Sequence, residues 1–203
     1  PGSRQGAPHR TSWTVRPRME ATSHRLTNAD ADELTVRTPF SEREVGLLWK
    51  EYIALDTDRK GLTPEQMGAL PQLKYNPIGH QLIKALTSEK AKKGERISFK
   101  DFVLSMAVFA PEARRDTKLK FAFKAFDDDE DGVIGPSDLL QLLKSLTPPA
   151  GSEQALDDKV LQSIVQKTLE EADTDRDGFL GYDEFVKVLE GTDFYARLTI
   201  NLT

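Results

Sequence analysis

The sequence predicts an all-α protein of two lobes, four helix–loop–helix units in all, with metal chemistry confined to the second lobe. Three observations carry that reading. From residue 38 onward, behind marked helix starts, apolar residues recur at steps of three and four, the period of a helix with one buried face. Two twelve-residue loops, DDDEDGVIGPSD at 127–138 and DTDRDGFLGYDE at 173–184, repeat one plan of acids and glycine. Two earlier loops, DTDRKGLTPEQM at 56–67 and TSEKAKKGER at 87–96, stand between helices but break the plan, the first after beginning correctly with Asp56 and Asp58.

Taken in order, residues 1–37 read as a basic arm. Up to residue 28 it holds Arg4, Arg10, Arg16, Arg18 and Arg25 against Glu20, a charge of +4, which leaves −9 for the rest of a chain of net charge −5. A cleaved transit peptide and an arm that docks on an acidic partner are both open; Pro1, Pro8 and Pro17 interrupt any amphipathic helix and favour the arm, with Trp13 as a weak docking anchor. The opening Pro-Gly-Ser also has the look of a cloning scar, with Met19 as a natural start.

Residues 38–110 form the first lobe. Ser41 and Glu44 make a capping box, followed by Val45, Leu48, Trp49, Tyr52 and Ile53 on one helix face. Thr63-Pro64-Glu65-Gln66 opens a short helix with proline at its first position, and Asn76-Pro77 opens a third carrying Ile78, Leu82, Ile83 and Leu86. Ser98 caps a fourth, with Phe99, Phe102, Val103 and Met106 inward. Residues 111–191 repeat the pattern: Leu119, Phe123 and Phe126; then Leu139, Leu142, Leu143 and Leu146; after the breaker-rich 147–152, Leu161, Ile164, Val165 and Leu169; finally Phe185, Val188 and Leu189. Eight helices are expected, with a tail at 192–203.

The loop at 173–184 is a complete cage for a hard cation. Asp173, Asp175 and Asp177 stand at positions 1, 3 and 5, Gly178 permits the sharp turn at 6, the Phe179 carbonyl adds an oxygen at 7, and Glu184 closes the girdle with two oxygens at 12. Leu180 at position 8 is expected to form a short bridge with Ile134. The loop at 127–138 has the same plan in Asp127, Asp129, Asp131, Gly132 and the Val133 carbonyl, but it ends in Asp138. One methylene shorter than glutamate, Asp138 is expected to give one oxygen rather than two, which suits six-coordinate Mg2+ better than seven-coordinate Ca2+. In the first lobe Lys60 stands at position 5 and Met67 at 12, one residue is missing after Gly61, and the second loop is long and lysine-led, so neither should hold metal.

Composition limits the function classes. No run of about 18 apolar residues exists, so no membrane span is expected. Without cysteine there is no disulfide and no thiol nucleophile, and an intracellular, cytoplasmic address is expected, with the cytoskeleton, a cilium or the inner face of a membrane in view. His9, His24 and His80 have no nucleophile and acid arranged around them, and no phosphate-cradling glycine loop exists, so no catalytic residue is expected, nor a nucleic-acid partner.

The stretches LPQLKYNPIGHQLI (70–83), KLKFAFKAFDDDEDG (118–132), EEADTDRDGFLGYDEF (170–185) and GTDFYARLTINL (191–202) resemble the four-EF-hand group containing calcineurin B, the calcineurin-B homologous proteins and the calcium- and integrin-binding (CIB) proteins. Two silent first hands, the aspartate at 138 and the pair Asp193-Phe194 are most similar to the CIB proteins. One departure is the start, since members often open with a Met-Gly acceptor for a myristoyl chain. The resemblance implies that an amphipathic helix of a target protein lies in a groove of the second lobe. Cation binding reorients the helices leaving such loops and opens that groove, here lined by Leu119, Phe123, Leu139, Leu142, Leu143, Leu161, Val165, Phe185 and Leu189, of which roughly half serve as ordinary core. Only Met67 and Met106 lie in the body, which argues for one or a few dedicated partners. The tail Leu198-Thr199-Ile200-Asn201-Leu202 either covers the groove or packs on its own lobe. Three functions follow: a non-enzymatic Ca2+/Mg2+-dependent regulator of CIB type, a constitutive subunit docking by its basic arm on an acidic surface, or a calcineurin B-like regulatory subunit of an enzyme.

Overall fold

The computed structural model describes residues 26–148, 152, 156–190, 192, 194, 198 and 199; the arm through residue 25, with Trp13, Met19, His9 and His24, and the tail from residue 200 lie outside the described residues. Among the described residues the chain is all-α, with ten α-helices and no strand longer than a bridge: α1 Asn28–Arg37, α2 Glu42–Leu55, α3 Pro64–Met67, α4 Pro71–Lys74, α5 Gly79–Lys92, α6 Phe99–Met106, α7 Arg115–Phe126, α8 Pro136–Leu146, α9 Asp158–Ala172 and α10 Tyr182–Leu189.

The expected starts are present because their chemistry is local. Ser41, Thr63 and Ser98 each accept from the backbone N–H three residues on, while Glu44, Gln66 and Asp101 reach back to the cap N–H. The loops pair as expected: Leu62 and Ile97 exchange two 2.9 Å backbone hydrogen bonds, and Ile134 and Leu180 exchange bonds of 3.0 and 2.9 Å. All four bridge side chains are buried, so each bridge ties a loop pair into the core. The core runs without a break from Leu34 and Leu48 through the 3-10 turn Ala107–Phe109 to Leu119, Phe185 and Leu198.

Four expectations are corrected. Residues 28–37, assigned to the basic arm, form α1, which buries Ala31 and Leu34 against α2 and α6; only two core positions in ten residues give little periodicity to read. Its box, Thr27 with Asp30, was the available signal. The extra short helix α4 precedes α5 because the chain folds back closely enough that a Cβ on Gly79 would lie 2.0 Å from the Leu73 carbonyl oxygen. The stretch read as a second loop from Thr87 is helical through Lys92, since lysine and glutamate are good helix formers and the stop is Gly94 at φ +64°. Ile53, Ile164 and Val188 share a helical step with buried neighbours yet stay exposed, because the period marks a face wider than its contact.

The described part of the tail packs on its own lobe. Leu198 is buried, the Phe194 ring lies 5.9 Å from that of Phe126, and the Lys118 ammonium donates to Thr199 Oγ1 at 2.7 Å. Burial around Lys118 pushes its pKa down. No helix among the described residues is long and apolar enough to cross a membrane.

Candidate metal centre

The four loops share one register once counted from their bridges. Ile134, Leu180, Leu62 and Ile97 take position 8, so position 12 falls on Asp138, Glu184, Gln66 and Asp101. Each of these side chains accepts the N–H of position 9: Gly135 at 2.7 Å, Gly181 at 3.0 Å, Thr63 at 2.9 Å and Ser98 at 3.2 Å. The closing residue of the first loop is therefore Gln66 and not Met67, which is wholly buried in the core; the deletion after Gly61 shifts the count by one. Gly61, Gly132 and Gly178, at φ +93°, +94° and +89°, make the turn at position 6, where a side chain is strained.

In the second lobe the acids converge. One oxygen from each of Asp127, Asp129 and Asp131 lies within 4.8 Å of the others, and so do those of Asp173, Asp175 and Asp177. That span matches a cation held at roughly 2.3–2.6 Å from each oxygen. Backbone amides hold the arrangement: Asp127 Oδ2 accepts from Gly132 N at 2.9 Å and Asp173 Oδ2 from Gly178 N at 2.8 Å, while Asp131 and Asp177 accept the amides of Val133 and Phe179 at 3.0 and 2.8 Å. At position 9, Gly135 is packed so closely by Phe179 of the other loop that a Cβ would meet the ring at 3.2 Å.

The closing carboxylates differ in length yet reach equivalent backbone amides at positions 2 and 9. Glu184 spans from Thr174, whose N–H and hydroxyl donate at 2.6 and 2.7 Å, to Gly181; Asp138 spans the equivalent places, Asp128 N at 3.1 Å and Gly135 N. The Thr174 hydroxyl and amide, then Gly181 N–H, hold the Glu184 carboxyl down to about 2. Asp127 shifts the other way: desolvation pushes its carboxyl up, the Asp131 and Asp138 charges add to it, and two backbone N–H bonds only partly offset this. For Asp175 the Asp177 N–H pulls down, but desolvation and the Asp177, Glu184 and Asp173 charges outweigh it and push the carboxyl up. Charge crowded in this way is relieved by a cation.

The first lobe answers its acids with its own side chains. Lys90, at position 1 of the second loop by the same count, puts its ammonium 3.1 Å from both the Asp101 and Glu95 carboxylates. Those hydrogen bonds, Glu95 first, push its pKa up. In the first loop Asp56 accepts the Gly61 amide at 3.1 Å, and Arg96 bridges the Gly61 carbonyl at 3.0 Å and Asp58 at 3.2 Å.

The expected partner-binding residues divide into two groups. Leu161, Val165, Phe185 and Leu189 are buried, whereas Phe123, Leu139, Leu142 and Leu143 are half-buried. Phe123 and Phe185 lie 5.5 Å apart in an aromatic cluster with Phe126 and Tyr182. An apolar cavity of about 340 Å³ opens between α8 and α9, lined by Pro136, Leu140, Val165 and Leu169 with Ser137, Gln162 and Gln166. Leu140 was missed because it falls outside the narrow stripe of 139, 142, 143 and 146. His80 is an exposed surface residue.

Comparison with known proteins follows the same lines. The family model for an EF-hand domain pair matches residues 116–190. Calcineurin B of Naegleria gruberi is 33% identical over 186 residues, 91% of this chain and 100% of the relative. Calcineurin B of Candida glabrata is 34% identical over 164 residues, covering 80% and 89%, and that of Schizosaccharomyces pombe 30% over 171 residues, covering 84% and 94%.

Proposed function

The chain belongs to the calcineurin B family of EF-hand, calcium-binding regulatory proteins, and from that premise we propose that it is a non-catalytic regulator that grips an amphipathic helix of a target protein with its second lobe. In this reading Asp127, Asp129, Asp131, Val133 and Asp138 hold one cation, and Asp173, Asp175, Asp177, Phe179 and Glu184 hold the other. An ion bound there would supply a divalent charge that relieves the crowded carboxylates, and α8 and α10, which leave the two loops, are the helices such a change would reorient. The observation that carries the reading is the apolar cavity between α8 and α9, which begins at Pro136 immediately behind one cage. A helix with apolar anchors at i, i+3, i+4 and i+7 suits such a groove; of the expected partner-binding residues Val165 lines the cavity, and Leu140 lines it from α8.

Within the family, Asp138 and the silent first pair are features of the CIB proteins, and the shorter carboxylate supports partial occupation of the third site by Mg2+. The relatives are named as a subunit of calcineurin, which is the ground for a second reading, a calcineurin B-like regulatory subunit of an enzyme.

The test is capture from native extract by the full chain in calcium, in magnesium with a calcium-selective chelator, and in EDTA, beside a Leu140→Glu variant. The regulator reading predicts a partner retained in calcium, lost in EDTA and lost by the variant while calcium uptake is unchanged. A partner retained equally in EDTA makes the cages permanent fasteners and sinks the regulator reading.

A further inference from the structure

The third loop carries more charge than a cation site uses. Of its six carboxylates, Asp128 and Glu130 stand at positions 2 and 4, which contribute no ligand. Both are held by helix α5 of the silent lobe. The Lys84 ammonium lies 2.6 Å from the Asp128 carboxylate and 2.6 Å from its backbone carbonyl, and Lys92 pairs with Glu130. Gln81, on the same helix, donates to Ser145 Oγ near the far end of α8 at 2.7 Å, so α5 grips both the loop and the helix that leaves it. In the fourth loop the same two places hold Thr174 and Arg176, so that loop carries its own cation. Six carboxylates less two ammoniums, and five carboxylates less one guanidinium, leave both loops at −4.

We propose that Lys84 and Lys92 are tethered cations that compete with the metal for the third loop, so that docking of α5 and loading of that site oppose one another. The proposal rests on the reading of 127–138 as a cation site. Coulomb repulsion between each ammonium and a divalent ion sets the sign, and linkage makes it reciprocal: loading the loop loosens α5, and a partner that draws α5 away tightens the third site. The fourth site, with no share in these pairs, is indifferent to them. The silent lobe thereby acts on metal binding without holding metal.

The test is a calcium titration of the full chain in calcium-buffered solution, followed at the amide resonances of Gly132 and Gly178. These donate to Asp127 and Asp173 and so report on their own loops. For Lys84→Met/Lys92→Met at low salt, the Gly132 midpoint is expected at a calcium concentration roughly three- to tenfold lower, the shift shrinking in concentrated KCl while Gly178 stays in place. Lys84→Arg/Lys92→Arg, which keeps both charges, is expected to titrate like the wild type. An unchanged or higher Gly132 midpoint, an equal shift at Gly178, or a shift indifferent to salt overturns the proposal. A wild-type Gly132 amide that ignores calcium overturns the cation-site reading beneath it.

Discussion

Asp101 and Glu184 occupy the same place in two loops and meet different fates. Asp101 sits 3.1 Å from the Lys90 ammonium, whereas Glu184 is held only by uncharged donors, the Thr174 hydroxyl and backbone amides. The first lobe therefore carries its cations on covalent tethers, in Lys90 and Arg96, and the second leaves its carboxylates converged for a diffusible ion. Both lobes keep the bridge, the position-6 turn and the contact from position 12 to position 9. A hand without the full set of acids thus keeps the same structural contacts.

The largest expected effect that sharpens this contrast is at the fourth loop. Glu184→Gln removes a charged closing ligand and should weaken calcium binding there by about two orders of magnitude in calorimetry, with the first lobe's amide exchange unchanged. The next concerns the first lobe alone. Tyr52 donates to the Ile97 carbonyl beneath the bridge at 3.0 Å, and burial, then the Asp56 and Asp101 charges, push its hydroxyl up to about 12. A raised value stabilises the fold below the unfolded value and is lost as pH rises through the folded one. Stability should therefore fall between pH 10 and 12, by on the order of 1–3 kcal/mol, and chemical denaturation of Tyr52→Phe should show no such step.

Smaller again is Asp138→Glu. Lengthening the closing side chain should tighten calcium at the third site by about tenfold and reduce magnesium's ability to compete, read by titrating calcium with and without millimolar Mg2+. Smallest is Lys90→Met, which removes a half-buried tether: exchange of the Leu62 and Ile97 amides should quicken by less than about fivefold, with calcium binding untouched. If that variant made the first lobe bind calcium, the contrast between tethered and diffusible cations would need a different cause.

Much of this was legible from the chain. Caps at Ser41, Thr63 and Ser98, the cages and the Ile134–Leu180 pair are written in contiguous residues, because each is a local hydrogen-bonding device. What escaped was set by distant parts of the molecule. Helix α1 is recognisable by its burial against α2 and α6 more than by its own pattern. Gln66 takes the closing position only because Leu62 pairs with Ile97, 35 residues away by the same count that places Arg96 beside Gly61. Nothing in their spacing marks Lys84 and Lys92 as partners of Asp128 and Glu130 in the third loop. Charge pairs across the fold leave no spacing in the sequence to count.

The most direct test of the central claim is hydrogen exchange of the full chain read by mass spectrometry with calcium and with EDTA. The account predicts that calcium slows exchange strongly across 115–189 and leaves 42–74 and 97–109 as they were. Equal protection of both lobes by calcium, or none in the second, would contradict it.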